Sequence, residues 1–171
     1  RKYITFFALF TLIPSILISL FSLFLLSFAL DKYLDKKITT AVNNSYEVAK
    51  SYTEEVRTKT QSEIILIAYD LNKSINFLNT NINQFRSFLN TQKIIRDIDE
   101  VHIIDASGNL YLSTLDDKGL YNAPLQDALE MVSNDKRPLK IINAYENQSA
   151  SIMKLENFEG KYLYIVKYLD K

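Results

Sequence analysis

The spacing of hydrophobic positions changes twice along the chain. From Ile4 to Leu30 no charge interrupts a run of Ile, Leu, Phe, Ala, Ser and Thr. A bilayer core about 30 Å thick needs only about 20 helical residues, so residues 1–30 are expected to form a transmembrane anchor. Pro14 lies within this run and removes one backbone donor. The hydroxyls of Thr11 and Ser15 stand near enough to help the freed groups, leaving a mild kink. A secretory signal is the competing reading, since Ser27-Phe28-Ala29 resembles a cleavage site. A signal's apolar region spans about 7 to 15 residues, however, and this run is much longer.

Beyond the run the apolar residues recur every three or four positions. Leu34, Ile38, Val42, Tyr46, Ala49, Tyr52 and Val56 form a weak stripe. Ile64, Ile67, Leu71, Ile75, Leu78, Ile82, Phe85 and Leu89 form a stronger one, close to a heptad seam. No glycine or proline occurs between Pro14 and Gly108. A long helix is therefore predicted over 31–96. Continuous to Ile95 it would measure roughly 100 Å at 1.5 Å per residue, longer than a small domain, so a break is expected in the Asn-rich stretch 72–83. The seam has two compatible readings: it packs on the sheet that follows, or it meets a partner helix in a homodimer.

After Arg96 the period shortens to two. Val101–Asp105 and Leu110–Thr114 flank Ala-Ser-Gly-Asn and read as a hairpin. Pro124 opens a short amphipathic helix with Leu125, Leu129 and Val132 on one face. Strands follow at Leu139–Tyr145, Ser149–Leu155 and Lys161–Leu169, and their short connections make the sheet antiparallel. In the last strand Tyr162, Tyr164, Val166 and Tyr168 point one way while Leu163, Ile165 and Leu169 point the other. Both faces thus need a cover. The long helix supplies one, and the segment from Leu115 to Arg137 supplies the other, a roof of the kind that often encloses a ligand. The fold class is α+β, with a small sheet of about five strands over 97–171.

Composition narrows the chemistry. Twenty Lys and Arg balance twenty Asp and Glu, so nothing marks the chain as a nucleic-acid binder. Arg1 and Lys2 precede the apolar run, and Lys32, Lys36 and Lys37 follow it, so the cation count alone does not orient the span. There is no cysteine and a single histidine, His102, which excludes thiolate zinc sites and Cys/His nucleophile pairs. The three glycines, Gly108, Gly119 and Gly160, are too scattered for a phosphate-cradling loop.

Several segments together, LDKYLDKKITTAVNNSYEVAKSYTEEV, IAYDLNKS, IIRDIDEVHIIDASGNLYLST and KYLYIVKYLD, resemble the N-terminal sensory region of NtrY-type sensor histidine kinases of the nitrogen-regulation class. The resemblance implies a bacterial inner-membrane protein whose residues 31–171 form an extracytoplasmic PAS-like or Cache-like sensor. It also implies a second membrane helix after Lys171 and a cytoplasmic kinase that uses ATP and Mg and phosphorylates a response regulator. His102 departs from a phosphoacceptor, because it falls in a predicted strand and lacks the acidic helical neighbour. Catalysis is thus not expected from these residues.

For a small-molecule ligand under the roof the candidates are Tyr121, Arg137, Lys140 and Tyr145, which flank the cover and suit a carboxylate. Leu71, Ile75, Leu78, Ile82 and Phe85 are the candidate signalling seam. Asp105 is expected to organise its turn through the backbone. The alternative function is a non-enzymatic membrane-tethered binding module or chemoreceptor-type sensor. No metal site is expected.

Overall fold

The computed structural model describes residues 2–78, 81–135, 137–141 and 147–169. The chain divides into two compact units, 1–50 and 51–171. The first unit is purely helical and lies within helix α1, Lys2–Lys73. It contains the stretch long and apolar enough to cross a membrane, with large side chains such as Phe10, Phe21 and Phe24 facing outward. Near Pro14, Thr11 Oγ1 donates to the carbonyls of Phe7 (3.2 Å) and Ala8 (3.1 Å), and Ser15 Oγ donates to Thr11 O at 2.9 Å. These hydroxyls bond the carbonyls on either side of Phe10, the acceptor that Pro14 leaves without its usual donor. Where the apolar run ends, Lys32 Nζ lies 5.8 Å from the Phe28 ring centroid and Lys37 Nζ 4.5 Å from that of Tyr33, so these cations lie over aromatic faces.

In the second unit α1 ends at Lys73, inside the Asn-rich stretch. A short α2 (Ile75–Leu78) and α3 (Ile82–Ile95) follow. The asparagines that weaken helix propensity here also begin the next helix. Asn81 Oδ1 accepts from the backbone N–H groups of Asn83 (2.9 Å) and Gln84 (3.4 Å), a side-chain N-cap. Five strands follow: β1 (Glu100–Asp105), β2 (Leu110–Ser113), β3 (Leu139–Ile141), β4 (Gln148–Lys154) and β5 (Lys161–Tyr168). They form one antiparallel sheet in the order β2-β1-β5-β4-β3. A helix α4 (Gln126–Ser133) lies between β2 and β3. It starts two residues after Pro124 rather than at it, with no side-chain cap.

The β1–β2 turn is built by Asp105, whose Oδ1 accepts from Ser107 N (2.8 Å) and Asn109 N (2.9 Å), while Gly108 takes φ +80°. These bonds hold the Asp105 carboxyl below its ordinary range, with the Asn109 backbone N–H the largest cause. The turn role expected for Asp105 is therefore the one it has.

The two faces of β5 are buried by different elements. Leu163 and Ile165 join Val101 and Ile103 of β1 in a core with Ile64, Ile67 and Leu71 of α1 and Phe85 and Leu89 of α3. Tyr162, Tyr164 and Val166 join Ile104, Ala150 and Ile152 in a second core closed by Leu129 and Val132 of α4. Of the seam residues, Leu71 and Phe85 are buried under the protein's own sheet and Ile75 packs partly against it, whereas Ile82 is 55 % exposed. Leu71 and Phe85 therefore do not form a surface seam for another helix. The side chain of Leu78 lies outside the described residues.

Candidate functional site

Under the roof the sheet carries polar groups among its apolar ones. Glu100 and His102 are two apart on β1 and so share the face of Ile104. His102 is fully buried. Its Nδ1 is 2.9 Å from Ser113 Oγ and its Nε2 is 2.9 Å from Glu100 Oε2. Ser113 Oγ also accepts from Leu115 N at 2.9 Å, so this hydroxyl joins the ring to the start of the roof. The other Glu100 oxygen accepts from Tyr168 OH. Burial pushes the Glu100 carboxyl up, but the hydrogen bonds from His102 and Tyr168 outweigh it, with Lys93 adding its charge, and the net shift is downward.

The ring of His102 stacks on Tyr164 at 5.7 Å and meets the edge of Tyr121 at 5.1 Å. Tyr121 OH donates to Gly108 O at 2.7 Å, which ties the roof to the β1–β2 turn. Burial, with some repulsion from Asp105, pushes the Tyr121 phenol up to about 12. The chain Leu115–Ser113–His102–Glu100–Tyr168 thus runs from the start of the roof to the end of β5, and both ring nitrogens of His102 have partners. Its signal in the sequence is the alternation Glu100-x-His102 within an otherwise apolar strand.

The three ligand candidates among the described residues, Tyr121, Arg137 and Lys140, do not converge. Tyr121 packs on the roofed face. Lys140 lies in β3 between Leu139 and Ile141, which pack on that same face, so strand alternation directs it to the opposite one. There Lys140 Nζ pairs with Glu54 Oε2 at 3.3 Å. Arg137 is exposed and grips Asp135 through Nε (3.0 Å) and Nη2 (2.8 Å), which raises its pKa further. Tyr145 lies outside the described residues. Sequence proximity to the roof does not bring Lys140 beneath it, because one residue along a strand reverses the face.

A separate cleft of about 580 Å³ lies between α1 and the α4–β3 segment. Thr58, Gln61, Ser62 and Ile65 form one wall, facing Met131, Val132, Asp135, Arg137, Pro138 and Leu139. Of the ligand candidates among the described residues, Arg137 lines it and Tyr121 and Lys140 do not.

Comparison with known proteins gives a consistent result. The family model described as the NtrY N-terminal region matches residues 2–171. Proteins named as NtrY-like sensor histidine kinases are 28 % identical over 175 residues in Rickettsia felis and in Rickettsia conorii, covering 96 % of this chain in each case. The counterpart in Rickettsia bellii is 27 % identical over 178 residues, covering 99 %. The chain spans only 27–28 % of the length of these relatives. Since one family accounts for the apolar run, the long helix and the sheet together, the chain belongs to the NtrY N-terminal region family of sensor histidine kinases.

Proposed function

We propose that residues 1–171 are the sensory input of a membrane-bound two-component histidine kinase. Residues 31–171 lie outside the cytoplasm as a PAS/Cache-like sensor, and residues 1–30 anchor it as a transmembrane helix. The observation that carries this reading is the family match over residues 2–171, which joins an apolar span and a folded sheet in one unbroken region. Support for the sensor reading comes from the sheet, whose central strands β1, β5 and β4 are covered by α1 and α3 on one side and by the roof on the other. The domain plan is an anchor over 1–30, a signalling helix over 31–96 and a sensor over 97–171. An extracytoplasmic signal biases the helix, and only differential affinity for two arrangements does so. A homodimer and a cognate response regulator complete the pathway.

ATP and Mg serve a kinase outside this region. The residues here do not fit a nucleotide: Gly108 lies in the β1–β2 turn, Gly119 in the short 3-10 turn Lys118–Leu120, and Gly160 opens onto empty space before β5. No loop brings them together to cradle phosphate. The test is full-length protein in membrane vesicles, incubated with labelled ATP and Mg. The expected result is an acid-labile phosphohistidine on a residue beyond 171 and its transfer to a response regulator. Folded full-length protein that acquires no phosphate overturns the reading in favour of a non-enzymatic, chemoreceptor-type sensor.

A further inference from the structure

Within residues 51–171, α1 meets the sheet through two unlike halves. Downstream, Ile64, Ile67, Ala68 and Leu71 are almost fully buried in one apolar core with Val101, Ile103, Leu163 and Ile165. Upstream, the positions that continue the same helical spacing are Arg57, Thr60 and Gln61, with Val56 beside them. The sheet mirrors this change. Met153 packs in the α1-side core and is paired with Leu163; Ser151 is paired with Ile165, and Ser149 with Lys167. Alternation along β4 therefore puts Ser149 and Ser151 on the face that looks towards α1.

The upstream half is held by polar tethers. Glu54 pairs with Lys140 at 3.3 Å, and Gln61 Nε2 donates to Pro138 O at 3.2 Å. Tyr52 OH reaches Leu169 O at 3.5 Å, and Lys59 lies 3.8 Å from Asp97. Such pairs exchange readily with water and hold an element weakly. Two buried polar atoms have no partner among the described residues, Arg57 Nε and Ser149 Oγ. Buried polar groups are nearly always satisfied, so at these two atoms the protein itself supplies less than the packing around the apolar half does, although Arg57 Nη1 is held by Glu54 at 2.8 Å. One orphan is on the upstream half of α1 and the other is on the sheet face directed towards α1. The downstream pad is aliphatic, and displacing it would expose closely packed apolar surface to water.

We infer that α1 is hinged on the sheet, with residues 64–71 as a fixed pad and residues 52–61 as a lever that changes its seat over the polar surface of β3 and β4. This rests on the sensory role proposed above and locates its moving part. The cleft of about 580 Å³ runs beside the lever, since Thr58, Gln61 and Ser62 form its α1 wall and Pro138 and Leu139 its β3 wall. Movement of the lever changes the width of that cleft. A shift of β3 or α4 acts on the lever through Pro138 and Lys140.

Residues 1–171 contain no cysteine, so single cysteines report cleanly on this region. Thr60, Ser149 and Ala68 are 1 %, 0 % and 1 % exposed, and each accepts cysteine with little change in volume. In full-length protein in membrane vesicles, maleimide labelling followed by peptide mapping is expected to modify the Thr60→Cys and Ser149→Cys variants at least about tenfold faster than Ala68→Cys, because local opening is confined to the lever. Equal, slow labelling at all three sites overturns the hinge, and if Thr60→Cys does not fold, Ser149→Cys against Ala68→Cys carries the comparison. Cutting the tether with Glu54→Ala and Lys140→Ala is expected to raise labelling of Ser149→Cys several-fold and to shift autophosphorylation. Faster labelling with unchanged autophosphorylation supports the hinge and overturns the signalling role.

Discussion

The sharpest test of how α1 is used is Leu71→Ala. Leu71 is 0 % exposed and sits with Ile67, Val101 and Leu163 in the α1-side core. Truncating a fully buried leucine removes its transfer free energy and leaves a cavity that neighbours only partly fill, a loss of about 2–5 kcal/mol. For a unit of this size that corresponds to a fall in melting temperature of about 8–20 °C. Leu66, 47 % exposed on the same helix, provides the control, and Leu66→Ala is expected to cost less than about 1 kcal/mol. The assay is thermal unfolding of the chain in detergent, followed by circular dichroism at two protein concentrations at least tenfold apart. If Leu71 belongs to the protomer's own core, its loss lowers the transition equally at both concentrations. A Leu71→Ala effect below about 1 kcal/mol, or one that grows on dilution as mass action requires of an interface between chains, would refute the burial argument and restore the reading of Leu71 as part of a partner-helix seam.

Three further outcomes follow from the site. The Glu100 carboxyl is held below its ordinary pKa, so its contribution to stability is present above the unfolded value of about 4.3 and is lost as pH falls through the lowered one. Glu100→Gln should cost about 1–3 kcal/mol at pH 7 and flatten the acid limb, as read from denaturant midpoints between pH 7 and pH 3. Tyr121 titrates at about 12 in the folded chain, so its contribution is complete below about pH 10 and is lost as pH rises through 12. Tyr121→Phe, which removes the bond to Gly108 O, should cost about 1 kcal/mol at neutral pH and reduce the alkaline loss. Arg96 joins α3 to α1 through Glu63 (2.9 Å) and Asp70 (2.8 Å) while its Nε donates to Gln92. Arg96→Lys keeps the charge but not the two-pronged grip, and about 1–3 kcal/mol should be lost in chemical denaturation; an unchanged midpoint would discount that clasp.

Much of this architecture can be read from local pattern. The uncharged run Ile4–Leu30, the period-two residues of β5 and the Asp105–Gly108 turn each carry their signal within a few neighbouring residues, because helix pitch, strand alternation and turn stereochemistry are local properties. The need for two covers over the sheet follows in the same way from the two apolar faces of β5. The sequence also determined that Ile64, Ile67 and Leu71 form an apolar stripe, but spacing alone does not say what a stripe packs against. Only the tertiary structure decided that their partners are Val101, Ile103, Leu163 and Ile165 of the same chain. It likewise separated Lys140 from Tyr121, since the face a side chain takes is decided by where the strand sits in the sheet, and it gave His102 its Ser113 partner, which reaches it only across the β1–β2 pairing. Periodicity names the face a residue occupies, whereas its partner depends on contacts between residues distant in the chain, and these exist only once the sheet has closed against its helices.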